Sequence, residues 1–68
     1  MNIIVKGAKT LNEYKSKRAA IRKLALQLSA QWGFCVPETA WIDGADLHVV
    51  YPDGSQWKFT SSGSERER

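Results

Sequence analysis

The sequence predicts a small α+β fold in the order β-α-β-β-β, with one long amphipathic helix packed on a mostly antiparallel sheet. Three observations carry this: a helix-capping signal followed by a long stretch of 3.6-residue periodicity, a switch to period two after Pro37, and two Asp-Gly turns between the later apolar runs. At 68 residues the chain is the size of one domain, and its 43% hydrophobic and 25% charged residues are the balance of an ordinary folded protein.

The first element is "NIIVK", Asn2 to Lys6, β-branched and followed by Gly7, which reads as a strand with a turn behind it. "TLNE" then forms a capping box: Thr10 is placed to accept from the backbone N–H of Glu13, and the Glu13 side chain to reach back to Thr10 N–H. From that cap, at 100° per residue, Tyr14, Ile21, Leu24, Ala25, Leu28 and Trp32 fall within about 100° of arc, the width of a core-facing stripe. Gly33 is the expected left-handed C-terminal cap.

After "FCVPE", the runs "TAWI", "LHVVY" and "QWKFT" are separated by "DGAD" and "PDGS", which predicts a three-stranded meander. Alternation puts Leu47, Val49 and Tyr51 on one face, with His48 and Val50 on the other. Trp57 and Phe59 likewise share a face, opposite Gln56, Lys58 and Thr60. One helix covers only one face of such a sheet, so some of Trp41, His48, Val50, Trp57 and Phe59 are expected to stay partly exposed. The domain is expected to span 1–61, and "SSGSERER", small and polar with alternating charge, to leave 62–68 as a flexible tail.

Chemistry-bearing patterns are few. Cys35 is the single cysteine, with none of the paired spacing of zinc sites, and His48 lies in a strand with no third residue to orient it against Cys35. Asp43, Asp46 and Asp53 are accounted for by turn chemistry, and the glycines are isolated, so no phosphate loop, metal site or cofactor site is expected and the chain is read as non-enzymatic. No apolar run spans a membrane and "MNIIVKGAKT" lacks the layout of a secretory leader, which makes cytoplasmic the expected location.

Charge is the informative feature. Net charge is +3, yet residues 1–35 hold seven Lys/Arg against one acid, Glu13, while residues 36–68 hold three against six acids. "KSKRAAIRK", Lys15 to Lys23, places five cations in nine residues, and only Lys17 has a helical acid, Glu13, four residues before it. Lys15 to Arg18 also occupy the first turns, where the helix dipole favours anions. Helix stability alone does not select such a pattern, so the negative charge must come from the protein's own turn acids, from an acidic protein, or from phosphates.

Two binding functions follow. In the first, Lys15, Arg18, Arg22 and Lys23, with Lys6 and Lys9 ahead of the helix, meet nucleic-acid phosphates. In the second, the chain is an inhibitor or adaptor that sets the same helix against an acidic protein surface. Leu26, beside Ala19 and Ala30 and bordered by Arg22 and Lys23, is then its apolar centre, assisted by exposed aromatics. A homodimer that pairs the basic helix of one chain with the acidic turns of another is a third arrangement.

Overall fold

A computed structural model describes all 68 residues. Its elements are β1 (Asn2–Ile4), α1 (Leu11–Gln31), β2 (Thr39–Asp43), β3 (Asp46–Val50), β4 (Gln56–Thr60) and β5 (Gly63–Arg66). The five strands form one mixed sheet in the order β1-β2-β3-β4-β5, parallel between β1 and β2 and antiparallel elsewhere. The fold is therefore the expected α+β domain, enlarged by one strand. Residues 63–66, expected as part of a tail, pair with β4 from Trp57↔Arg66 to Thr60↔Gly63. Their polar, charged side chains are those of an edge strand that must not recruit further strands.

Turn chemistry sets the registers. Asp43 pairs with Asp46, so Gly44 and Ala45 are the two central residues of the β2–β3 turn. Gly44 alone has positive φ (63°), the pattern of a II′ turn with glycine first. In the β3–β4 turn the Asp53 carboxylate accepts from Ser55 N–H at 2.9 Å and from Ser55 Oγ at 2.6 Å.

The helix starts and stops by local signals. Thr10 Oγ1 accepts from Glu13 N–H at 3.1 Å, as the cap requires, but the Glu13 carboxylate takes the N–H of Lys9 (3.2 Å) rather than that of Thr10. At the other end Gly33 N–H donates to Ala30 O and Phe34 N–H to Ser29 O, with Gly33 at φ 76°. This is a Schellman cap, and it turns the chain back over the sheet. Phe34 consequently sits against Trp57 (ring centroids 4.8 Å apart), Tyr51 (5.3 Å) and Phe59 (6.4 Å), closing the part of the sheet that the helix leaves open.

The helix packs on the face that carries Ile3, Ala40, Leu47, Val49 and Phe59, all buried. Ala20 and Ile21 lie by Val5, Ile42 and Gly44, whereas Leu28 and Trp32 lie by Phe59 to Gly63, so the helix crosses the sheet obliquely. Its buried residues are Ile21, Ala25 and Ser29. The apolar stripe read from the sequence is only partly used: Ile21 and Ala25 are buried and Leu28 is half-buried, but Tyr14, Leu24 and Trp32 are exposed. Trp32 is the C-cap residue, past the last helical position Gln31, and two causes account for Leu24 and Tyr14. The buried arc is displaced towards Ser29, whose Oγ lies 2.8 Å from the Tyr51 hydroxyl and so satisfies both buried polar groups. In addition, residues 11–20 contain no buried side chain, so the first half of the helix overhangs the sheet.

Candidate phosphate-binding site and sheet surfaces

The site that the charge pattern singled out runs along the overhang, with Lys15 and Arg18, and onto the first docked turn, with Arg22 and Lys23. Lys15, Arg18, Arg22 and Lys23 are all exposed, as are Lys6 and Lys9 in the segment leading to the helix. Of the helical cations only Lys17 has a partner, Glu13 at 3.3 Å, one turn away. None of Glu38, Asp43, Asp46 or Asp53 forms an ion pair with the helix, so the protein's own turn acids do not neutralise it.

At 100° per residue Lys15, Arg18 and Arg22 occupy about 60° of one flank, with Lys23 farther round. Lys6 is on the other flank, where it and Lys17 border a hollow with Val5, Ala20, Ile21 and Ile42. The expected set therefore divides into a row of three, a second group built on Lys6 and Lys17, and Lys9 at the cap. Lys9 contributes its backbone N–H to Glu13 while its ammonium stays exposed. Leu26 is half-buried, so only part of it is available to a partner. Leu11 (67% exposed) and Tyr14 (39%) are the more open apolar residues of the overhang; periodicity placed Tyr14 in the core and did not mark Leu11.

The sheet face away from the helix has a different chemistry. Register aligns Ile4, Trp41, His48, Lys58 and Glu65 in one cross-strand row. The Trp41 and His48 rings stack with centroids 5.4 Å apart and planes within 5°. His48 Nδ1 lies 2.6 Å from a Glu67 carboxylate oxygen, and Lys58 is 3.6 Å from Glu65. Lys58 and Glu65 form an ion pair across strands, Asp43 and Asp46 have no such partner, and Trp41, His48 and Val50 are half-buried. Trp57 and Phe59 face the helix side instead, under Phe34.

Cys35 borders a shallow hollow with Phe34, Tyr51 and Trp57 on the helix side, so the sheet separates it from His48. No three His, Cys, Asp or Glu side chains gather as a metal-ligand group. Burial pushes the Tyr51 hydroxyl above its ordinary pKa, opposed by the Ser29 contact. The two Ser55 donors hold Asp53 below the usual carboxylate value, and the Lys9 N–H and Lys17 do the same for Glu13. No helix is long and apolar enough to cross a membrane.

The site and fold thus define a small α+β domain with a cationic helical overhang. No protein-family model, curated protein or solved structure matches the chain.

Proposed function

We propose that this chain is a small, non-enzymatic cytoplasmic binding protein that grips nucleic-acid phosphates with the flank of its overhanging helix. The supporting observation is that Lys15, Arg18 and Arg22 lie in one exposed row without an acidic partner, Lys15 and Arg18 on the half-helix that buries no side chain and Arg22 just past it, on the docked half. A helix that needs those cations for its own packing would pair them; this one leaves them where a backbone of phosphates could be tracked. Lys23 extends the row, and Lys6 and Lys9 add charge on the approach.

The test is fluorescence anisotropy of labelled duplex DNA and single-stranded RNA at roughly 50 and 200 mM salt. The Lys15→Ala, Arg18→Ala, Arg22→Ala triple variant is run beside the wild type. Wild-type binding should weaken steeply with salt, and the triple variant should lower the slope of log K against log salt by roughly 2 to 3. Absence of binding at low salt to either nucleic acid defeats the reading.

A second reading, an inhibitor or adaptor that binds an acidic protein, is favoured by Leu11 and Tyr14, apolar bodies left exposed among these cations. Leu11→Ala discriminates between the two. It should leave phosphate binding unchanged, because no charge is altered, and should weaken capture of an acidic protein about tenfold or more.

A further inference from the structure

We propose that the hollow at the root of the overhang is a nucleotide site, with the base seated on Val5, Ala20, Ile21 and Ile42 and the phosphate held by Lys6 and Lys17. The inference rests on the nucleic-acid reading above and adds to it which form of nucleic acid is bound and where.

The hollow has a volume of about 450 Å³, within the range of small-ligand sites. It exists because the elements around it present little bulk. Gly7 (φ 76°) and Gly44 (φ 63°) carry no side chain, no other atom lies within 4 Å of where a Cβ would stand on either, and Ala20 is the only helical residue facing it apart from Lys17 and Ile21. Its walls are apolar, which suits the face of a planar base. Its two cations come from different elements: Lys6 follows β1, and Lys17 stands on the helix. Lys6 has no acidic partner; the Lys17 to Glu13 pair is exposed, so a phosphate can take the place of the carboxylate at small cost. Asp43 borders the hollow at the turn, but strand alternation directs its side chain, like that of Asp46 opposite it, to the other face of the sheet.

A base inside a duplex is stacked and paired, and extracting it costs a few kcal/mol. The hollow therefore favours a single strand, which can offer one unstacked base while its neighbouring phosphates run onto Lys15, Arg18 and Arg22 across the helix. A free nucleoside monophosphate presents the same chemistry without the neighbouring phosphates.

The experiment measures affinity for four probes: a short single strand, the same strand with one abasic position, its duplex, and a free nucleoside monophosphate. Each is titrated against wild type and Ala20→Leu, whose larger side chain fills the hollow from an exposed helical position with little change in helix propensity. Circular dichroism checks that the variant is folded, and amide shifts of Gly7, Ala20 and Gly44 in the wild type report on the hollow without any substitution. The intact strand should bind about tenfold more tightly than the abasic strand, and Ala20→Leu should erase that difference while leaving the salt-dependent remainder. Equal affinity for intact and abasic strands, or an unchanged preference in Ala20→Leu, overturns the site and leaves the phosphate reading standing. If no strand binds but the monophosphate shifts the three amides and Ala20→Leu prevents it, the site stands and the phosphate-tracking reading falls. If none of the four probes binds, both fall.

Discussion

The two halves of α1 are one continuous helix with different tasks. Residues 21–31 supply Ile21, Ala25 and Ser29 to the core, whereas residues 11–20 supply none and carry Lys15, Lys17 and Arg18 into solvent. A 21-residue helix is about 32 Å long, matching the 33 Å longest dimension of the molecule, while the sheet beneath it is narrower. Tertiary packing stabilises the second half. The first half persists through its cap, the Glu13 to Lys17 pair and its continuity with the docked turns. A helix end that makes no contribution to packing is free to be shaped by binding.

The largest expected effect tests this division directly. Ile21→Ala should destabilise the domain by about 2 to 5 kcal/mol, whereas Leu11→Ala should change stability by no more than about 0.5 kcal/mol. A domain of this size has only about 3 to 5 kcal/mol in total, so the first variant should sit near its unfolding midpoint without denaturant. Urea titrations of both check it. If Leu11→Ala costs as much as Ile21→Ala, the overhang is packed in solution and the comparison fails.

Next in size is the polar contact that moves the docked half off the apolar stripe. Ser29→Ala leaves the buried Tyr51 hydroxyl without a partner, and Tyr51→Phe does the same to Ser29, so each should cost about 1 to 3 kcal/mol. The double variant should cost less than the sum of the two, because neither orphan remains. Strict additivity in the four-way cycle would mean that the two hydroxyls are not coupled.

These cases also define what the sequence could disclose. The helix boundaries were legible because Thr10 and Gly33 act locally, through hydrogen bonds within four or five residues. The meander was legible because each turn carries its own glycine. Ser29 was not, since its value depends on Tyr51, 22 residues away, and polarity alone argued for exposure. The overhang was equally hidden: periodicity reports which residues share a face of a helix, and says nothing about where the surface beneath that face ends. The fifth strand escaped notice because Gly63 to Arg66 lacks β-branched and aromatic residues and owes its conformation to pairing with β4. For the site, the unpaired cations were visible in their spacing, but their division between two flanks, with Lys6 beside Lys17, required the path of the chain through Gly7.

The smallest effect separates the two halves by pH. Glu13 has its carboxyl held below the ordinary value, first by the Lys9 N–H and then by Lys17. A group whose pKa is depressed on folding contributes stability above its unfolded pKa and loses it as pH falls through the folded value. The contribution of Glu13 is therefore present at neutral pH and disappears on acidification below the ordinary glutamate range. Because Glu13 touches only the first turns, its protonation should loosen residues 11–17 without weakening the docked turns. Amide exchange followed while the pH is lowered from neutral should show reduced protection in Glu13 to Lys17, with Ala25 to Gln31 unaffected. Glu13→Gln should make the first-turn protection independent of pH over that interval. Should both halves of the helix lose protection together in the wild type, the overhang would be part of the cooperative core and the cations on it would need another explanation.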